Sequence, residues 1–178
     1  NKLTPIEEYE GDSLKREDKY EFSINDTIYK MNGGKVKQCL KLLYDNLTNI
    51  QNNYNGILTC ATLHSPQTAI VSYIANYFKL KCIICIAYYK KEKKDTRRIH
   101  ASLSQRAGAK IYGFRGTRCS FIEKKARELA KELNYYQVKF GMDGKNVMDT
   151  VSIQVQNIPD YIDEIVVIAG SGLTALGI

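Results

Sequence analysis

The chain has 178 residues, 44% hydrophobic and 25% charged, with 26 basic against 19 acidic side chains, a net charge of +7 and a pI near 9.1. That length can bury one core or two small lobes. No stretch is apolar for long enough to span a membrane, the N-terminus lacks the apolar centre of a signal peptide, and five cysteines at irregular spacing do not form a disulfide framework. A soluble protein of a reducing cytoplasm is expected, with a surface charge that suits an anionic partner.

In chain order, residues 1–30 are polar, broken by Pro5 and Gly11, and contain the charged tetrad Lys15-Arg16-Glu17-Asp18. Asn32-Gly33-Gly34-Lys35 then opens a run with Val36, Leu40, Leu42, Leu43 and Leu47 at spacings of mainly three and four, which predicts a helix over 35–50. From residue 57 onward, strands and helices alternate. Strands are predicted at 57–61, 82–87, 109–114, 136–139 and 164–169, and helices at 66–78, 96–107, 119–133 and 146–156, the last stopped by Pro159. Such alternation implies an α/β fold, a three-layer αβα arrangement with a mainly parallel sheet.

Several stretches carry candidate chemistry. Two glycines ahead of Lys35 let the backbone turn tightly, and the positive end of a helix disfavours an ammonium placed there. A lysine so placed can lose its proton and act as a nucleophilic amine, but a solvated lysine at a helix start explains the same four residues. Gly170-Ser171-Gly172-Leu173-Thr174 follows a predicted strand and leads into a helix, a pattern that builds a nest of N–H groups around a phosphate. With Ala175 it also satisfies G-x-G-x-x-[GA]. The acidic residue and the βαβ unit that a dinucleotide fingerprint requires do not follow before Ile178. Thr62-Leu63-His64-Ser65-Pro66-Gln67 falls after the first strand of the alternating region, where open α/β sheets hold ligands. Ser65 as N-cap with Pro66 in the first turn is a sufficient structural account of it, and no nucleophile elbow or paired acid supports a Ser-His-Asp triad.

Cys82-Ile83-Ile84-Cys85 has C-x-x-C spacing, but on a buried strand its two thiols point to opposite faces and no further ligands complete a zinc site. No metal is expected. Lys90-Lys91-Glu92-Lys93-Lys94-Asp95-Thr96-Arg97-Arg98, preceded by Tyr88 and Tyr89, places six basic residues in nine, either a solvated loop or a contact for nucleic acid.

In order and spacing these segments resemble the fold-type II pyridoxal-phosphate enzymes, with aminocyclopropane-carboxylate deaminase and D-cysteine desulfhydrase the most similar branch. Leu3-Thr4-Pro5-Ile6 and Lys15-Arg16-Glu17-Asp18 resemble that family's "TPL" and "KRED" segments. Asn32-Gly33-Gly34-Lys35-Val36-Lys37 is similar to "GGNK-x-R", with the lysine in register, Gly56 to Ser65 to its strand ending in serine, and Arg106-Ala107-Gly108-Ala109 to its "x-x-GA". Gly170-Ser171-Gly172-Leu173-Thr174 resembles the "GSGGT" phosphate loop.

The resemblance implies pyridoxal 5'-phosphate as cofactor, held by Lys35 as a Schiff base, with Gly170, Ser171, Gly172 and Thr174 around its phosphate. Gln67 would lie at the cofactor, and Ser65 at the substrate carboxylate or α-carbon. It implies a large lobe begun by residues 1–55, a small lobe at 56–137, a return to the large lobe at 138–178, and a homodimer. The implied activity is a lyase or deaminase acting at the α-carbon of an amino-acid-like substrate, free or carried on a nucleotide base in DNA hypermodification. The alternative is a non-catalytic relative serving as a nucleic-acid-binding or structural subunit.

This chain departs from the family at Pro66, where an asparagine is usual, and at Leu173, where the phosphate loop has its third glycine. The family's residue facing the pyridine nitrogen and its catalytic tyrosine would lie beyond Ile178, so a fragment of a longer polypeptide or a shortened relative is expected.

Overall fold

The computed structural model describes residues 3–19, 21–23, 30–88, 99–116, 118–142, 147–167 and 173–178. They divide into two units, Leu43–Met142 and Asn1–Leu42 with Asp143–Ile178. The helix α1 (Gly34–Asn53) supplies residues to both.

In the Leu43–Met142 unit, the alternation read from the sequence builds a parallel sheet. Its strands are β5 (Ile57–Thr62), β6 (Cys82–Tyr88), β7 (Lys110–Arg115) and β8 (Tyr136–Val138), in the spatial order β7-β6-β5-β8. (The four strands that precede residue 33 belong to the other unit.) Ile57 lies opposite both Cys82 and Tyr136, and Ile83 opposite Lys110. β5 is central and covered on both faces, hence its unbroken run Ile-Leu-Thr-Cys-Ala-Thr rather than an alternating one.

Helices α2 (Gln67–Tyr77) and α3 (Ile99–Arg106) pack together, α2 against β5 and β6 and α3 against β7. Helix α4 (Cys119–Leu133) contacts β5, β6 and β8, burying Ile122, Ala126 and Ala130 at four-residue spacing on Leu58, Cys60, Ile83 and Cys85. Cys85 thus faces α4, whereas the Cys82 thiol is 4.0 Å from Ser72 Oγ on α2. The two cysteines of the C-x-x-C spacing point to opposite faces, as a strand requires.

Two helix ends show why particular residues stand where they do. Gly108 has φ +84° and closes α3, with the Ala109 N–H returning to the Ser104 carbonyl. Asn134, at φ +55° and ψ +56°, does the same after α4.

The other unit holds structure that the polar N-terminal composition does not announce. β1 (Ile6–Tyr9) and β2 (Asp12–Lys15) form an antiparallel hairpin through Glu10 and Gly11, both at positive φ, the geometry of a two-residue hairpin turn. A single helical turn at Glu17–Lys19 follows, then the antiparallel pair β3 (Glu21–Ser23) and β4 (Lys30–Asn32). The helix expected over 146–156 is observed as α5 (Val147–Ser152) continued by a tighter 3-10 stretch, Ile153–Asn157. The C-terminal α6 (Leu173–Gly177) packs on α5, with the Ser152 hydroxyl donating to the Gly177 carbonyl at 3.0 Å.

The strand expected at 164–169 is not formed over 164–167, and residues 168–169 lie outside the described ones. Ile165 and Val166 are 46% and 88% exposed. A strand needs a neighbour for its ladder of N–H and C=O groups, and among the described residues no strand pairs with this segment.

Candidate functional site

Lys35 is the second residue of α1, just after Gly33 at φ +97°, whose carbonyl accepts from the Val36 N–H at 3.0 Å. The lysine is half-buried, and burial alone holds its amine below the usual lysine range. The expected direction therefore holds, but the cause is desolvation of the ammonium.

Gly34 has its own steric reason. A Cβ there would sit 2.9 Å from Glu17 Oε2, so the absence of a side chain lets a carboxylate lie against the first turn of α1. Gln38, one turn beyond Lys35 and 5% exposed, has a buried Oε1 that no group among the described residues satisfies. Positions i and i+3 share a face of a helix, so an amine of lowered pKa and an unmet acceptor lie on neighbouring parts of α1. The amine is of the kind that condenses with an aldehyde-bearing cofactor, and the unmet Gln38 Oε1 calls for a hydrogen-bond donor beside it.

Lys37 carries a role that nothing in its local sequence announces. It is 6% exposed, and its ammonium donates to Thr4 Oγ1 and to Gln154 Oε1 (2.8 Å), with Glu17 Oε1 at 3.6 Å. Thr4 is the hub. Its N–H donates to Gln154 Oε1 at 2.9 Å, its hydroxyl lies 2.8 Å from Glu17 Oε1, and its carbonyl accepts from Asn157 Nδ2 at 2.9 Å. Asn157 in turn accepts from Lys15 through its side-chain oxygen. Burial pushes the Lys37 pKa down, and the Glu17 carboxylate partly offsets this. Lys15 is lowered for the same first reason. The only signal in the sequence is that Lys35 and Lys37 stand two apart on a helix and cannot share a face.

Ser65 and Gln67 are brought together by the first turn of α2. The Gln67 N–H approaches Ser65 Oγ at 3.3 Å, and the Ser65 carbonyl accepts from the Thr68 hydroxyl at 3.1 Å. Pro66 has helical dihedrals (φ −65°, ψ −16°), and its carbonyl accepts from the Ile70 N–H, which matches the expected first-turn proline. Ser65 is half-buried and His64 exposed.

The Gln67 side chain is 2% exposed and committed to protein partners. Its Nε2 donates to Thr59 Oγ1 and to the Lys139 carbonyl, both at 3.0 Å, and its Oε1 accepts from the Gly141 N–H at 2.9 Å. Thr174 is exposed in α6. Gly170, Ser171, Gly172 and the basic segment Lys90–Arg98 lie outside the described residues. Among the described residues no group of acidic, histidine and cysteine side chains is placed to hold a metal ion, and no helix is long and apolar enough to cross a membrane.

No protein-family profile and no curated protein matches the chain. Solved structures do match it. An ACC deaminase homologue superposes with a TM-score of 0.79 at 21% identity, over 99% of this chain and 55% of its own. A pyridoxal 5'-phosphate-dependent aspartate racemase gives 0.62 at 16% identity, over 81% and 41%, and the threonine deaminase of T.th. gives 0.55 at 16%, over 81% and 44%. The fold is that of the fold-type II pyridoxal-phosphate enzymes. The chain spans about half the length of these neighbours. Within that fold class the mixed α/β architecture with a parallel sheet agrees with the architecture inferred from the alternation of elements.

Proposed function

We propose that this chain is the lysine-bearing part of a pyridoxal-phosphate-dependent enzyme acting at the α-carbon of an amino-acid-like substrate. The observation that carries this reading is Lys35, a half-buried amine of lowered pKa at the start of α1, in a chain whose fold is that of such enzymes. When bound, the cofactor supplies an electron sink for whichever bond at the α-carbon is cleaved. Lys35 Nζ would hold it and is placed to move a proton, since burial lowers the pKa of its amine. The Ser65 hydroxyl, fixed by the turn that opens α2, is the second polar group assigned to substrate. The segment Gly170-Ser171-Gly172-Leu173-Thr174 is assigned to the cofactor phosphate.

Deaminase or lyase chemistry on a free amino acid is the reading the family likeness favours. The net charge of +7 equally suits an amino acid carried on a larger anion, including a base in DNA. The rival is a non-catalytic relative, favoured by Pro66, which has no N–H to offer a cofactor oxygen, and by a Gln67 amide already committed to protein.

Purified protein mixed with pyridoxal 5'-phosphate should develop a visible absorbance band, and borohydride should fix the cofactor on Lys35, read by peptide mass spectrometry. Lys35→Ala should abolish both. Absence of a band and of any adduct on Lys35 in the wild type would refute the enzyme reading, and salt-sensitive retention of DNA by the same sample would then support the binding subunit.

A further inference from the structure

A groove of about 630 Å³ opens at the amino ends of the four parallel strands. It lies wholly within the Leu43–Met142 unit and is separate from the Lys35 and Ser65 features. Ser65 follows the carboxyl end of β5, whereas Asn55, which borders the groove, precedes its amino end. Six residues of strand put roughly 20 Å between the two.

The groove's lining is chemically one-sided. Lys81 and Lys110 both border it, and among the described residues no carboxylate does. Tyr112 and Tyr135 form aromatic walls beside Leu133, and all three pack against the apolar cluster beneath α4. The Lys110 ammonium sits 5.0 Å from the centre of the Tyr112 ring, so a cation is already held over an aromatic face.

The walls are also fixed. The Tyr135 ring approaches Gly56 so closely that a Cβ on Gly56 would be 2.9 Å from Cε1 and closer still to the Lys81 carbonyl. Asn55 is tied on by Nδ2 to the Leu133 carbonyl at 2.9 Å and by its N–H to the Asn134 carbonyl at 2.8 Å. A volume in the range of small-molecule sites, aromatic walls and two positive charges with no carboxylate beside them among the described residues fit one class of ligand.

We propose that this groove is a second binding site, for a small anion carrying a flat aromatic ring. The ring would lie against Tyr112 and Tyr135, and the anionic group between Lys81 and Lys110. The assignment does not depend on the cofactor reading, because none of these residues belongs to that site.

Adenosine monophosphate is the probe, titrated calorimetrically into the full chain, with adenosine and inorganic phosphate titrated alongside. Saturable binding of the monophosphate is expected, at least tenfold tighter than either part alone. The double variant Lys81→Ala/Lys110→Ala should weaken it at least tenfold with an unchanged circular dichroism spectrum, and Tyr112→Leu should weaken it severalfold. Lys35→Ala should leave it unchanged. The proposal is overturned if the monophosphate gives no saturable heat, if adenosine or phosphate alone binds as tightly, or if the lysine double variant keeps full affinity. Loss of binding in Lys35→Ala alone would also overturn it, by locating the anion at the cofactor lysine.

Discussion

Replacing Gln67 by leucine tests whether the side chain is a structural tie. Its amide joins three parts of the Leu43–Met142 unit: β5 through Thr59, the segment after β8 through the Lys139 carbonyl, and the following turn through the Gly141 N–H. Leucine fills similar volume and satisfies none of these groups. The Gly141 N–H is buried and would lose its acceptor, which costs about 1–3 kcal/mol. Lys139 is exposed, so its carbonyl can turn to water at a cost of roughly 1 kcal/mol or less. The Thr59 hydroxyl still donates to the Val138 carbonyl at 2.8 Å, so it loses only an incoming bond. The added apolar surface returns about 1 kcal/mol. The expected net loss is therefore about 2 kcal/mol, a large part of the roughly 5–15 kcal/mol that holds a domain together. Urea unfolding of the cofactor-free protein should show a lower midpoint at constant slope, a fall of about 1 M. A loss below about 0.5 kcal/mol would refute the structural role. That outcome is what a residue serving only a bound cofactor would give, since no cofactor is present in the assay.

Lys37→Met removes the cation from the Thr4, Glu17 and Gln154 cluster and should cost about 2–4 kcal/mol in urea unfolding, less than a fully buried pair because Glu17 keeps partial contact with water. The wild-type Lys37 pKa is lowered on folding, so the unfolded chain binds more protons. This residue therefore makes stability rise as pH increases toward the ordinary lysine value of 10.5, and the variant should lose that slope. Burial pushes the Cys60, Cys82 and Cys85 thiols to about 12 from 9.0, so above pH 9 the unfolded chain releases protons that the folded one keeps. Each thiol then lowers stability between about pH 9 and 12, a loss that Cys85→Ala should reduce in alkaline unfolding. At neutral pH a disulfide reagent should modify exposed Cys119 quickly and these three only on denaturation.

Local pattern carried most of the sheet. The run Ile57–Thr62, the turn at Gly108-Ala109 and the four-residue spacing in α4 each encode their element within a few residues, so each was legible. What escaped depends on distance or on neighbours. Residues 164–167 carry the composition of a strand and have no strand partner among the described residues, because composition states a preference and a ladder requires a partner. The β1–β2 hairpin was hidden by its polar strands, since neither face is buried deeply enough to impose an apolar alternation. Gln67 is marked in the sequence only by its position after Ser65, although two of its three partners stand about 70 residues away.

The same limit governs the two lysines of α1. Lys35 and Lys37 are alike in type and two positions apart, and nothing local says which is structural. A rotation of about 200° around the helix sends them to different surroundings. Lys37 meets Thr4, Glu17 and Gln154, drawn from both ends of the chain, and its ammonium is held by three oxygens. Lys35 meets burial and, among the described residues, no compensating charge, so its ammonium is the more poorly supported. An amine kept as an ion by its partners is a poor nucleophile, and one short of partners is a better one. The buried cluster thus does double duty by anchoring the start of α1 through Lys37 while leaving Lys35 outside the network. Lys35→Ala should therefore cost little in cofactor-free stability, where Lys37→Met costs much. A reversed order in urea unfolding would show that the roles had been assigned to the wrong lysines.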